Sequence, residues 1–411
     1  MAARAHTGSA SRRNHRMSSF DAAKPDCSDA ANATSVFPAA LPTRMSPMSD
    51  EASSVTSALA GLMTKAIARD GGWLPFDRFM ALALYAPGLG YYANASRKFG
   101  ALPSSGSDFV TAPELTPLFG RTLARQLGQA LEVSGTDEIW EFGAGSGALA
   151  RQLLEALGPA VARYTIVDLS GSLRERQQER LKAHAGKVRW VSELPQRFAG
   201  VVVGNEVLDA MPVKLLHRIG GVWHERGVAA GSDGLRFEDR PTALRPPVEV
   251  EGAHDYLTEI HPQAQAFIRT LADRLEKGAA FFLDYGFPER EYWHPQRHMG
   301  TLMCHRGHLA DPDPLDALGT KDITAHVDFT GIALAAQDAG LAVLGYTSQA
   351  HFLFNCGLLE LAAGADRAQQ AAMQKLVNEH EMGELFKVVG LAAGGFWDAM
   401  GFARGDRTGR L

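Results

Sequence analysis

Ile139-Trp140-Glu141-Phe142-Gly143-Ala144-Gly145-Ser146-Gly147-Ala148 sets the architecture of the chain. An apolar run enters three glycines at alternate positions. Leu149, Leu153, Leu154 and Leu157 then recur at helical spacing until Gly158-Pro159. The pattern predicts a buried strand, a tight turn and a helix whose N-terminus faces a ligand. Glycine has no Cβ, so the backbone can take left-handed dihedrals and approach a bound molecule closely. Glu141 falls at the strand's carboxyl end, where ligands bind in open α/β sheets.

Working outward, residues 164–168 read as a second strand tipped by Asp168, and 171–184 as a charged amphipathic helix. Residues 188–191 and 201–204 read as strands three and four, and Asn205-Glu206-Val207-Leu208-Asp209-Ala210-Met211-Pro212 follows directly. Glu206 and Asp209 are spaced as the first turn of a helix would space them. Residues 279–284 form another buried strand ending in Asp284, and 341–346 the final one; 358–400 is helical in pattern. Strands alternating with helices specify an α/β, doubly wound, Rossmann-like sheet. Between 213 and 237 the pattern changes to short alternating segments joined by glycines, which predicts an inserted antiparallel element over about 213–256. Ahead of the glycine turn, 49–135 reads as a helical cap, with Thr116-Pro117 starting one helix and Gly135 ending it. The domain proper is then 136–400, with 401–411 a polar tail.

Composition narrows the class. The chain has 411 residues, 45% of them hydrophobic, and a net charge of −5 with no basic stripe, which argues against a nucleic-acid partner. Three distant cysteines make neither a disulfide framework nor a zinc site, and a reducing setting follows. No apolar run approaches the roughly 20 residues of a membrane-spanning helix, so no membrane insertion is expected. Residues 1–48 read as a disordered tail. Arg4, Arg12, Arg13 and Arg16 with no acid before Asp21 leave a mitochondrial transit peptide as the alternative to a cytoplasmic chain.

Two ligands suit the turn. Gly143-x-Gly145-x-x-Ala148 followed twenty residues on by Asp168 satisfies the dinucleotide fingerprint of an NAD-dependent oxidoreductase. The same turn resembles the E-x-G-x-G-x-G motif of class I S-adenosylmethionine methyltransferases. A carboxylate at Glu141 suits a sulfonium and an ammonium and would repel a pyrophosphate. Acids at Asp168, Glu206 and Asp284 extend that preference for a cationic ligand.

Five segments in order carry a wider resemblance: 108–114, 141–147, 205–212, 284–286 and 324–330. Together they resemble the MidA family of class I methyltransferases, which includes a mitochondrial complex I assembly factor. The resemblance implies S-adenosyl-L-methionine as cofactor and a protein substrate methylated on arginine, a respiratory-complex subunit in the mitochondrial case; a homodimer is the expected assembly. A protein that keeps the fold for assembly or binding without turnover is the alternative from another class. Gly143, Gly145, Gly147, Glu141, Asp168, Asn205, Thr111, Pro113 and Glu114 become the expected cofactor contacts. Glu206, Asp209, His326 and Asp328 become the expected acceptor and catalytic groups, with His326 a candidate general base. Helix capping would explain Asp168, Glu206, Asp209 and His326 without any ligand. Tyr91 and Tyr92 suit either the pocket or the core. His294, His298, His305 and His308 lack a ligand spacing, so no metal is expected.

Overall fold

The computed structural model describes residues 50–94, 110–168, 171–307 and 309–411. The expected tail over 1–48, the loop at 104–107, Asp108, Phe109 and His308 lie outside them. The main sheet is built from β1 (Glu138–Phe142), β2 (Arg163–Val167), β3 (Val188–Val191), β4 (Phe198–Asn205), β5 (Leu275–Phe287), β6 (Ala342–Ser348) and β7 (Phe386–Ala393). Their spatial order is β3-β2-β1-β4-β5-β7-β6. The strands from β3 to β5 pair in parallel, whereas β7 runs antiparallel to both β5 and β6. Beside β1 the chain order reverses, because β2 lies on one side and β4 on the other. That switch point opens a crevice at the carboxyl ends of β1 and β4.

Helices are α1 (Asp50–Arg69), α2 (Phe76–Tyr85), α3 (Ala112–Leu115), α4 (Pro117–Ser134), α5 (Ala148–Leu157), α6 (Gly171–Arg180), α7 (Pro262–Arg274) and α8 (Phe329–Asp338), with shorter ones towards the C-terminus. One face of the sheet packs Ile139, Val201, Val203 and Phe281 against Leu123 and Leu127 of α4 and Leu149 and Leu153 of α5. The other packs Trp140, Val202 and Phe282 against Ile268 of α7 and Ile332 of α8. Alternate residues of each strand serve opposite faces. The caps are local: Thr116 Oγ1 accepts from Leu118 N at 3.3 Å, and Gly135 ends α4 at φ 56°.

The segment expected as one helical cap divides its packing. α4 belongs to the main sheet, whereas α1 and α2 bury Leu59, Met63, Phe76 and Phe79 with Val213 and Val228 of the insertion. The insertion is an antiparallel sheet of Lys214–Ile219, Val222–Gly231, Gly234–Pro241 and Tyr256–Ile260, joined at Val222–Gly231 by Leu74–Pro75. Residues 287–325, irregular in sequence, contain a small sheet of Met303–Arg306, Leu309–Asp311 and Asp322–Thr324.

Two expectations are corrected. Residues 341–346 are not the last strand, because β7 follows within the stretch read as helical. Val388 and Ala392 enter one core and Val389 and Leu391 the other, so from Val388 onward β7 is apolar on both faces. Periodicity does not separate such a run from a buried helix. No helix follows β4 either: residues 206–213 form a turn that leads into Lys214–Ile219. Leu391→Ala should lower stability by about 2–5 kcal/mol. The exposed Leu359 changed to Ala should stay within about 0.5 kcal/mol. Guanidinium denaturation midpoints check both.

Candidate functional site

The turn after β1 is left-handed at all three glycines: φ is 61° at Gly143, 51° at Gly145 and 80° at Gly147, which caps α5. A Cβ at Gly143 would stand 3.0 Å from Val207 Cγ2, so the turn also sits close against the β4 loop. Glu141 is 2% exposed, and Tyr164 Oη donates to its Oε2 at 2.8 Å. Burial drives its pKa up to about 8, opposed by the Tyr164 hydroxyl and aided by Asp168. The carboxyl is therefore mostly protonated at neutral pH, and the negative charge expected beside the turn is damped.

Asp168 follows β2 and is half-buried. Gln177 of α6 donates to Asp168 Oδ2 at 2.8 Å and to the Gly145 carbonyl at 3.0 Å, while Trp190 Nε1 donates to Gln177 Oε1. Gln177 thus ties the acid to the glycine turn. Sequence reasoning missed it, since a glutamine in a charged helix carries no signal. From the N-terminal side, Thr111, Pro113 and Glu114 arrive on α3. Glu114 Oε1 accepts from Ser146 Oγ and from Arg180 Nη1, the latter at 2.9 Å. Gln152 of α5 donates to the Pro113 carbonyl at 2.7 Å and accepts from Gly120 N at 2.9 Å. Segment α3 is therefore held directly against the turn.

The second half of the site is acidic. Asp284 of β5 is 1% exposed, and its Oδ2 accepts from the backbone N–H groups of Val207, Leu208 and Asp209 at 3.1, 2.9 and 3.2 Å. This ties down the turn after β4, in which Glu206 takes φ 55°, an uncommon conformation for a residue with a side chain. Glu206 Oε1 accepts from Asn205 Nδ2 at 2.9 Å, and Tyr285 Oη donates to Asp209 Oδ2. Burial, then Asp209, raises the Glu206 pKa to about 8. Burial raises Asp209 to about 6, opposed chiefly by the Tyr285 hydroxyl and then by the nearby backbone N–H groups of Ala210 and Asp209. Burial first, then Asp209 and Glu206, pushes Asp284 upward despite its N–H donors. Among the described residues none of the three carboxyls has a Lys or Arg ion-pair partner, and the buried Asn205 Oδ1 and Asp209 Oδ1 accept no hydrogen bond.

The cap and the small sheet close in on this cluster. Tyr85 Oη donates to the Ala210 carbonyl at 2.9 Å, Tyr92 Oη donates to Asp322 at 2.9 Å, and the two rings stack at 5.6 Å. Tyr85, Tyr92 and Asp322 had not been singled out as a group by sequence, because three separate elements bring them together. His326 precedes, and Asp328 ends, a short strand Val327–Asp328 that pairs in parallel with Gly286 and Phe287 at the end of β5. Asp328 caps α8, its Oδ1 accepting from Gly331 N at 3.0 Å, with burial raising its pKa to about 7. The His326 ring lies edge-on to Tyr285 and Phe287 at 5.2 and 5.1 Å, and burial, then Arg297, lowers its pKa to about 3. So low a value makes it a weak proton acceptor at neutral pH. No cluster of potential metal ligands occurs among the described residues.

A pH dependence follows from Glu141. Its folded pKa of about 8 lies above the unfolded carboxylate value, so the folded state binds the extra proton between the two. Stability is therefore lost as pH rises from about 5 to 8. Glu141→Gln should lessen that slope by one group's share, the raised Glu206, Asp209 and Asp328 supplying the rest; urea midpoints across the same range that keep the wild-type slope would exclude Glu141 as a contributor.

Known proteins carry the same architecture. The family model described as "Putative S-adenosyl-L-methionine-dependent methyltransferase" matches residues 122–347. A crystal structure from Burkholderia thailandensis, bound to S-adenosyl-homocysteine, is 49% identical at a TM-score of 0.86, covering 89% of this chain and 100% of that one. The mitochondrial protein arginine methyltransferase NDUFAF7 of Mus musculus is 29% identical, over 82% of this chain and 84% of its own. Its Caenorhabditis elegans homolog, also mitochondrial, is 26% identical over 76% and 80%. The expectation of a cytoplasmic chain has no counterpart in those relatives' names. No helix among the described residues is long and apolar enough to cross a membrane. Of the two ligands that suit the glycine turn, the family takes S-adenosyl-L-methionine rather than NAD, and the chain belongs to this family of S-adenosyl-L-methionine-dependent methyltransferases.

Proposed function

We propose that the chain methylates the guanidinium group of an arginine in a protein substrate. The observation that carries this reading is the cluster of Glu206, Asp209 and Asp284, buried together without a cation among the described residues and with Asp209 Oδ1 unpartnered. Buried like charges of this kind favour a cationic ligand, and a guanidinium offers planar N–H groups matched to carboxylates. The names of the NDUFAF7 relatives support the same acceptor.

The remaining residues fit the cofactor. Gly143, Gly145 and Gly147 let the backbone lie against the amino-acid end of S-adenosylmethionine. Asp168, steadied by Gln177, suits the two ribose hydroxyls. Thr111, Pro113 and Glu114 cover the site from α3, and Asn205 stands between cofactor and acceptor. Glu141 acts from behind the turn through Tyr164 and Asp168. When bound, the cofactor supplies an electrophilic methyl group on a sulfonium. The chain's own task is to hold the acceptor nitrogen in line with that methyl and keep water out. Glu206 and Asp209 take the acceptor in this reading. His326 and Asp328, one a weak base and the other a helix cap, position β5 and α8 behind it.

Gly143→Val adds strain of about 1–2 kcal/mol at a left-handed position and a contact with Val207, so affinity for S-adenosylmethionine should fall at least about tenfold by calorimetry. Glu206→Gln should keep that affinity while arginine methylation, read by mass spectrometry of a peptide substrate, drops about 100-fold. Wild-type turnover on lysine peptides and none on arginine would sink the guanidinium reading. A cation entering the cluster ionises Glu206. Affinity for an arginine peptide should therefore rise as pH climbs towards about 8, with proton release detectable by calorimetry in buffers of different ionisation enthalpy.

A further inference from the structure

Tyr285 occupies a constrained place in the acidic half of the site. Its backbone N–H donates to Asp284 Oδ1 at 2.9 Å. Its ring is clamped edge-on between His326, at 5.2 Å, and Phe386 of β7, at 5.4 Å. With backbone and ring both fixed, the hydroxyl donates to Asp209 Oδ2, and Thr324 of the small sheet bears on it from another side. The other Asp209 oxygen, Oδ1, is left buried and without a hydrogen-bond partner in a residue only 5% exposed. One Asp209 oxygen is thus held by Tyr285, and the other has its acceptor capacity unused.

We propose that Tyr285 is a positioning residue that aims Asp209 Oδ1 at the acceptor nitrogen, and that Asp209 takes the proton this nitrogen loses on methylation. The assignment rests on the guanidinium reading above. In the transfer, the nitrogen lone pair forms the new N–C bond as the S–C bond breaks and its electron pair returns to sulfur. The displaced N–H proton goes to Asp209 Oδ1 and later to solvent. Charge balances, since two cations become one methylated guanidinium, a neutral thioether and a proton.

Other groups in the cluster are less suited. Glu206 pairs with the guanidinium in the reading above, and His326, lowered to about 3, is a weak base. The groups that face Asp209 are Glu206 from its own turn, Asp284 and Tyr285 from β5, and Tyr85 and Tyr92 from the cap. Asp322 bears on Glu206 and on both cap tyrosines, while Arg297 and Lys387 act on His326 behind Tyr285. The Tyr285 hydroxyl is the leading influence that holds the Asp209 pKa down against burial.

Methyl transfer from labelled S-adenosylmethionine to an arginine peptide, followed from about pH 5 to 9, tests the assignment. Tyr285→Phe keeps the ring packing, and should lower kcat about tenfold with peptide KM within about threefold. The acidic limb of its kcat profile should move to higher pH, because the donor that favours ionised Asp209 is gone. Asp209→Asn should lose about 100-fold or more in kcat, and adding Tyr285→Phe to it should cost nothing further. Calorimetric affinity for S-adenosylmethionine should match wild type in all three variants, which also reports that they fold. An active wild type whose Tyr285→Phe variant keeps the same kcat and the same acidic limb overturns the assignment alone, as does a double variant slower than Asp209→Asn. A wild type that methylates no guanidinium peptide overturns the guanidinium reading and this assignment with it.

Discussion

The acidic half of the site depends on Asp284 and the three backbone N–H groups that converge on its Oδ2. Each of those N–H groups, if buried without an acceptor, would cost about 1–3 kcal/mol. The carboxylate gathers them at one point and so fixes the path of the chain as it leaves β4. Glu206 then takes a left-handed conformation, and Asp209 turns back towards Tyr285. A helix after β4 would have set the two acids on one face; here a turn tied to β5 carries them instead.

That arrangement sets an electrostatic constraint on everything around it. Burial raises the pKa of all three acids; Asp209 adds to the rise at Glu206, and Asp209 and Glu206 add to it at Asp284. The surrounding elements contribute hydroxyls and backbone groups, Tyr285 and Tyr85 among them, rather than lysines or arginines. The glycine turn on the other side of the crevice is braced differently, by Gln177, Gln152 and Arg180, none of which adds negative charge to it. The two halves thus differ in character: one offers left-handed backbone braced by neutral and basic side chains, the other three buried carboxyls with no cation partner among the described residues.

Much of this was legible in the chain because the determinants are local. Three glycines at alternate positions after an apolar run demand left-handed backbone, and all three have it. Thr116 and Gly135 set the ends of α4 through bonds within a turn of themselves. Asp168 and Asp284 sit where buried strands meet the ligand edge of the sheet. What was not legible depended on partners far away in sequence. Gln177 matters because Trp190 and Asp168 face it, and Asp328 is occupied by the amide of Gly331. β7 inserts between β5 and β6, which requires knowing the sheet rather than the strand.

Residue identity and spacing alone set the glycine turn, the succession of parallel strands along the chain and the residue types at their tips, since dihedral preference and hydrophobic period act over a few residues. Tertiary structure alone decided that β7 runs antiparallel inside the sheet and that α1 and α2 join the inserted sheet rather than the main one. It also decided that Glu141 is largely uncharged and that Glu206 and Asp209 converge. The physical reason is common to all of these. Burial, ion repulsion and strand pairing are properties of neighbours brought together by folding, and neither a residue's identity nor its spacing carries them.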